Sequence, residues 1–351
     1  MKRVVAYLLT FMGLTTACGQ QSYEDVGVKE FEELAESPGA VVLDVRTEKE
    51  YNEGHLEGSV NIDQAQKDFI ERAKEELPTG KTIAVYCRSG RRSASAAGRL
   101  AAEGFKSVNL KGGIIAWKDA GKRVVVDKYE TDVFKTKSGK RVKMYALMHG
   151  SIRIEYDGRE IEVDPVSKLG DRTVDYSEMP KADYILVTHE HGDHYDEAAL
   201  RTLTKEGTQI VMNKRCAEKY GAGKAMANGD KEQIADDITV EAVPAYNTTE
   251  GRQQYHPKGR DNGYIVSLDG FRVYIAGDTE DIEEMGTVGD IDVAFMPCNQ
   301  PYTMTPEQLV KAAKTVKPKV LFPYHYGQTD VSGIASQLAG EGIDVRIRHY
   351  E

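Results

Sequence analysis

The chain has 351 residues, a length that predicts two folding units of roughly 100–200 residues each. Charged residues make up 29% and hydrophobic residues 40%, an ordinary globular composition that excludes disorder for the bulk of the chain. The 46 basic and 56 acidic residues leave a net charge of −10, which argues against a phosphate-backbone partner, so no nucleic acid is expected. Four cysteines are too few to staple a chain of this size, so a cysteine that matters here matters chemically.

The first residues read as an address. Lys2 and Arg3 precede an apolar run from Val4 to Leu14, much shorter than the roughly 20 residues that span a bilayer. A basic start, a short apolar run and small residues before a break are the marks of a secretory signal. The break, Thr15-Thr16-Ala17-Cys18-Gly19, resembles a bacterial lipobox, although Thr15 stands where that family usually has leucine. The resemblance implies a signal peptide over residues 1–17 and acylation of Cys18. Residues 18–25 would then be the lipidated N-terminus and its tether, placing the protein in the bacterial cell envelope, anchored to the membrane on the periplasmic or cell-surface side. A plain secretory signal with an incidental Cys18 is the alternative. Of the remaining cysteines, Cys216 in a predicted helix and Cys298 at the end of an apolar run read as buried fillers.

Between residues 26 and 124 strand and helix signals alternate. Val41-Val42-Leu43 and Ile83–Tyr86 are short apolar runs, and Val28–Glu36, Gln66–Leu77 and Arg91–Glu103 carry helical patterns. Such alternation predicts a parallel sheet covered by helices on both faces. The chemistry sits in Tyr86-Cys87-Arg88-Ser89-Gly90-Arg91-Arg92-Ser93, where a cysteine directly follows a strand and a loop opens into a helix. Loop amides, the helix N-terminus and the three arginines should favour the thiolate, the reactive form of Cys87. Residues 26–124 resemble a rhodanese domain through Leu43-Asp44-Val45-Arg46, Glu53-Gly54-His55-Leu56-Glu57-Gly58-Ser59, the Cys87 loop, and Gly112-Gly113 with Trp117. The resemblance implies that Cys87 is a nucleophile that accepts sulfane sulfur from a donor such as thiosulfate or a persulfide. The loop of Arg88, Ser89, Gly90, Arg91 and Arg92 would cradle the Cys87 persulfide. Asp44, Arg46 and His55 read as structural, and the loop has the length that handles sulfur, shorter than that of the related phosphatases.

Residues 125–140 read as a polar linker, with a second domain over 141–351. Ile152–Tyr156 and Glu160–Val163 flank Asp157-Gly158, a hairpin signal. The apolar run Tyr184–Val187 ends in Thr188-His189-Glu190-His191-Gly192-Asp193-His194. Alternate residues of an extended segment project together, so His189 and His191 can share one metal while Asp193 and His194 turn to another; imidazole and carboxylate suit zinc at a catalytic site. The motif resembles the metallo-β-lactamase superfamily, in its lactonase and N-acyl-phospholipase-D-like branch, over nearly the whole domain, and so implies an αββα sandwich behind the rhodanese-like sheet. It further implies that Asp278 bridges the two metals, that His325 is the last ligand of the second, that Asp164 is structural, and that His149 lines the cleft without ligating. The third histidine of the first metal usually follows a strand, but Val240–Val243 leads to Pro244-Ala245-Tyr246-Asn247. His256 is therefore assigned to the first metal, reached by a loop, with Asn247 or water as the alternative. His349 is read as a non-ligand.

Together these features predict an α/β enzyme tethered to a bacterial envelope: a thiosulfate or persulfide sulfurtransferase joined to a hydrolase with two zinc ions. Asp193 would orient the nucleophile toward a small-molecule ester, lactone, amide or phosphodiester. A different reading, one iron oxidising a persulfide supplied by the first domain, lacks the His-Thr-Pro-Gly-type segment of that branch, because Ala245-Tyr246-Asn247 stands in its place. A third reading is an inactive surface-anchored binding lipoprotein.

Overall fold

The computed structural model describes residues 23–126 and 128–350, which divide into two compact units before and after Asp127. The expected signal peptide and lipidation at Cys18 fall outside the described residues. Among those described, no helix is long and apolar enough to cross a membrane.

Among the described residues the first unit contains five strands, β1 (Glu24–Val26), β2 (Ala40–Asp44), β3 (Val60–Asn61), β4 (Thr82–Tyr86) and β5 (Lys106–Leu110), and five helices, α1 (Val28–Ala35), α2 (Glu48–Asn52), α3 (Phe69–Glu76), α4 (Arg91–Ala102) and α5 (Gly113–Asp119). All the pairings are parallel, in the order β1-β5-β4-β2-β3. Strand alternation sorts the apolar side chains. Leu43, Ile83 and Val85 pack with Phe69, Ala97 and Leu100, while Val42, Ala84 and Tyr86 pack with Phe31, Ile114 and Trp117 on the other face. Central β4 is buried along its whole length, which is why it reads as a continuous apolar run rather than an alternating one.

Two seven-stranded sheets make up the second unit. The first contains β6 (Thr131–Lys135), β7 (Arg141–Met148), β8 (Ser151–Tyr156) and β9 (Arg159–Val163) as an antiparallel meander. A separate hairpin, β10 (Lys168–Leu169) and β11 (Arg172–Thr173), follows, and then β12 (Tyr184–Val187), β13 (Gln209–Met212) and β14 (Lys224–Ala225) extend the sheet in parallel. The second sheet repeats the plan, with β15 (Lys231–Ala235), β16 (Ile238–Ala245), β17 (Asp261–Leu268) and β18 (Phe271–Ile275) antiparallel. Strands β19 (Val293–Pro297), β20 (Val320–Tyr324) and β21 (Asp344–Val345) continue it in parallel. Val142, Ile154, Leu186, Val240, Val266 and Phe322 share one core between the sheets. Helices α6 (Glu197–Leu203) and α7 (Lys214–Tyr220) cover the first sheet through Leu200 and Cys216. Helices α8 (Pro306–Val316) and α9 (Ile334–Gln337) cover the second through Leu309 and Ile334. The result is the expected αββα sandwich.

The linker expected over residues 125–140 is shorter than the sequence suggested, because β6 lies inside it. This strand escapes a hydrophobic pattern because buried Asp132, paired with Arg346 and Arg348 at 2.8 Å, occupies one of its few inward positions. Phe134 supplies the apolar contact, against Phe271 and Phe322. The Asp157-Gly158 turn has both residues at positive φ, 50° and 76°, as the right-handed twist of a two-residue hairpin demands.

One core carboxyl has an unusual environment. Glu162 of β9 is fully buried, its oxygens have no hydrogen-bond partner among the described residues, and Arg153 Nε stands 3.6 Å away. Burial pushes its pKa up from 4.5 to about 8 despite Arg153, so the folded protein binds a proton that the unfolded chain releases. Stability from this group is present below about pH 4.5 and is lost as pH rises toward 8. Glu162→Gln should therefore raise the Tm relative to the parent chain by an increment that grows across that window and then levels off. Thermal melts at stepped pH check this; an increment independent of pH would contradict it.

Candidate metal centre and reactive cysteine

In the first unit Cys87 directly follows β4, buried to 1% exposure, and Ser93 Oγ lies 3.3 Å from its Sγ. Burial pushes the thiol pKa up, but the Ser93 hydroxyl and the amides of Ser93, Ser89 and Gly90 reverse the effect and leave it below the ordinary value. The expected arginine collar is only partly realised. Arg92 forms a two-pronged pair with Glu50 at 2.6 and 2.8 Å, and Arg88 and Arg91 point to solvent. Sequence reasoning passed over Ser93, whose signal was its position one turn into α4. Close packing fixes the loop from below: a Cβ on Gly113, at φ +60°, would lie 2.3 Å from the Cys87 carbonyl oxygen. Asp44 and Arg46 form a buried pair at 2.6 Å, and His55 stacks on Tyr51 at 3.7 Å.

In the second unit the ends of strands from both sheets converge on one spot. The segment after β12 delivers His189, His191, Asp193 and His194; the turn after β18 delivers Asp278; β20 delivers His325; and the loop between β16 and β17 delivers His256. His189 Nε2 lies 3.0 Å and His256 Nε2 3.3 Å from His191 Nδ1, so three ring nitrogens face one point. Asp278 turns one oxygen to each side. Oδ2 lies 3.2 Å from His256 and 3.8 Å from His189, while Oδ1 lies 3.2 Å from His194 and 3.4 Å from His325. Asp193 Oδ2 stands 3.4 Å from both His325 and His149. His194 Nε2, His325 Nε2 and Asp278 Oδ1 are buried without a hydrogen-bond partner among the described residues. Buried polar atoms are rarely left so, and a set of inward lone pairs with both imidazole and carboxylate is what a divalent cation requires. The donor set therefore fits the implied metals.

Burial, reinforced by His194 nearby, holds His189 well below the usual imidazole pKa, which leaves its lone pair free. Burial works to raise the Asp278 carboxyl, but His325 and His194 beside it hold it well below the usual range.

A shell behind these groups sets their directions. Fully buried Asp164 accepts hydrogen bonds from the Thr188 amide and hydroxyl, both at 2.7 Å, and from His194 Nδ1 at 2.8 Å. Thr188 Oγ1 in turn accepts from His189 Nδ1 at 3.0 Å. Both rings therefore carry a proton on Nδ1 and present Nε2 to the centre. Gly150 leaves room for the His194 ring, since a Cβ there would lie 2.7 Å from Cε1. His149, Asp164 and His325 adopt left-handed φ of 52°, 44° and 47°, uncommon for residues other than glycine. Backbone bonds hold the two histidines, with the His149 amide donating to the Tyr350 carbonyl at 2.9 Å and the His325 amide to the His149 carbonyl at 3.3 Å.

The structure thus gathers all seven residues singled out as metal donors. His149, expected only to line the cleft, stands closer than that role requires: its ring nitrogen groups with Asp193 and His325 as a third potential donor set. His349 is exposed and bonds to Glu130, away from the centre. Among the tyrosines of the surrounding segments, Tyr264 and Tyr324 are buried, whereas Tyr255 and Tyr302 meet edge to face at 5.1 Å, with Tyr302 exposed. Cys216 and Cys298 are buried, and burial pushes the Cys298 thiol up to about 12, as inert fillers require.

Comparison with known proteins agrees with both units. The beta-lactamase superfamily domain matches residues 143–325, and the rhodanese-like domain matches residues 27–120. The UPF0173 metal-dependent hydrolase of Archaeoglobus fulgidus is 30% identical over 219 residues, covering 59% of this chain and 94% of the relative. A crystal structure from Parabacteroides distasonis, described as a metal-dependent hydrolase, is 52% identical with a TM-score of 0.62, and the match covers 64% of this chain and all of that one. Igni18, a metallo hydrolase from Ignicoccus hospitalis, is 27% identical with a TM-score of 0.51, covering 59% of this chain and 94% of its own. With convergent donors near the strand ends of an αββα sandwich, and a family match over residues 143–325 that spans them, the chain belongs to the metallo-β-lactamase superfamily as a metal-dependent hydrolase carrying an N-terminal rhodanese-like domain.

Proposed function

We propose that the second unit is a binuclear zinc hydrolase of small-molecule esters, lactones, amides or phosphodiesters. One ion would be held by His189, His191 and His256, the other by Asp193, His194 and His325, with Asp278 shared. The observation that carries this reading is the split of Asp278, one oxygen toward each donor set. When bound, the ions supply Lewis acidity toward the substrate oxygen and acidify water. Asp193, the most exposed carboxylate of the set at 31%, orients the attacking water and accepts its proton, while Asp164 keeps the imidazoles in their donor tautomers. A single iron held by two histidines and an aspartate would leave the other inward-facing donors unused. Metal analysis of the purified chain should give two zinc ions per molecule; one ion, or iron alone, would reject the binuclear reading. Gly150→Ala should displace the His194 ring and weaken the second ion by about 10–100-fold, read by competition with a chromophoric chelator.

For the first unit we infer a sulfurtransferase in which the Cys87 thiolate attacks the outer sulfur of thiosulfate, releasing sulfite and leaving a persulfide. Cyanide then takes the outer sulfur as thiocyanate and returns the thiolate. Cys87→Ser should abolish thiocyanate formation and leave ester hydrolysis unchanged. Ser93→Ala should raise the thiol pKa, moving the rise in alkylation rate to higher pH by about one unit; an unmoved profile would remove Ser93 from the role. Anchoring through Cys18 in the cell envelope completes the proposal. Cys18→Ser should shift the protein from the detergent phase to the aqueous phase after phase separation.

A further inference from the structure

Asn247 occupies the strand-end position where the first metal's third histidine was sought, at the exit of β16. It is 2% exposed and makes three hydrogen bonds. Its amide nitrogen donates to the His256 carbonyl at 2.9 Å, its Nδ2 donates to the Tyr302 carbonyl at 2.8 Å, and its Oδ1 lies 2.8 Å from His256 Nδ1. The Tyr302 carbonyl can only accept, which fixes the amide orientation: the NH2 group faces Tyr302 and the oxygen faces His256. An amide oxygen is likewise only an acceptor, so His256 must carry its proton on Nδ1. Its Nε2 lone pair then points into the cluster, 3.3 Å from His191 Nδ1 and 3.2 Å from Asp278 Oδ2.

The intervening loop is held as well. Buried Glu280 accepts from the Thr248 and Thr249 amides at 2.7 and 2.6 Å and from the Thr248 hydroxyl at 2.9 Å. Arg252 donates to Gln300 at 2.6 Å. The loop that carries His256 is therefore tied down at its origin, and the ring at its far end is oriented by the residue at that same origin.

We propose that Asn247 is a positioning residue: from the strand end it selects the tautomer and orientation of His256, so that an imidazole supplied by a loop serves where a strand-borne one would have stood. The proposal rests on reading His256 as a ligand of the first ion. A carboxylate would preserve the acceptor; a leucine of similar volume would remove it.

The test combines side-chain nitrogen NMR of histidine-labelled, metal-free protein with zinc competition titrations, and His256→Ala assigns the resonance. The parent chain and Asn247→Asp should show the Nδ1-protonated tautomer of His256. Asn247→Leu should lose that signature and bind the first zinc about 10–100-fold more weakly, with the second site unchanged. The positioning role is overturned by an unaltered tautomer and affinity in Asn247→Leu, or by Asn247→Asp behaving like the leucine variant. If His256→Ala itself keeps full first-site affinity, the ligand reading fails instead, and the two failures are told apart by that one variant.

Discussion

Lone pairs turned toward one another in a space largely closed to water impose the constraint that organises the second unit. Ring nitrogens of His189 and His256 stand 3.0 and 3.3 Å from that of His191, and the oxygens of Asp278 face four imidazoles. A neutral His191 has one Nδ1 proton at most to offer two facing ring nitrogens, so the trio is fully satisfied only by a further proton or a cation. Each buried atom left unpartnered costs about 1–3 kcal/mol. The surrounding sandwich must therefore supply enough stability to hold the donors in place without their counter-charge, and cation binding returns stability to the fold.

The sandwich meets this demand by placing every donor except the loop-borne His256 at or just after a strand end. Turns after β7, β9 and β20 adopt left-handed conformations at His149, Asp164 and His325, and each is locked by a backbone hydrogen bond or a buried carboxylate. Gly277 brings Asp278 in at φ +65°, so close that a Cβ would lie 2.8 Å from the Asn262 carbonyl oxygen. Its amide donates to the Tyr324 hydroxyl at 3.1 Å. The ring nitrogens are aimed by a layer of neutral or anionic acceptors behind them. The Cys87 site follows a different economy: one buried sulfur, a ring of donors, and glycines that let two loops approach to contact.

Much of this arrangement was legible in the sequence because it is local. The run from His189 to His194 declares itself by composition, and the Cys87 loop by its place between a buried strand and a helix. Parallel strands buried on both faces read as apolar runs, so β2, β4 and β12 stood out. What could not be read was long-range or compensated. β6 hides because Asp132 is neutralised by arginines more than two hundred residues away. Ser93 looks like any helix serine until the sulfur is placed beside it. His149 gives no sign of its closeness to Asp193, because β7 and β12 are brought near each other only by the strand order of the first sheet, with β8 and β9 between them. Asn247 reads as a missing ligand, and only its hydrogen bonds give it a task.

The bond from the His149 amide to the Tyr350 carbonyl has a consequence for how the protein is made. During synthesis the β7 turn emerges some two hundred residues before the segment that secures it, together with the Asp132 pairs to Arg346 and Arg348. The turn at His149 can therefore be secured only once residue 350 has been made, whereas the described partners of the Cys87 loop (Ser93, Glu50 and Gly113) all precede Asp127. Translation thus completes the contacts around the thiol before those around the metal donors, as domain-by-domain folding from the N-terminus allows.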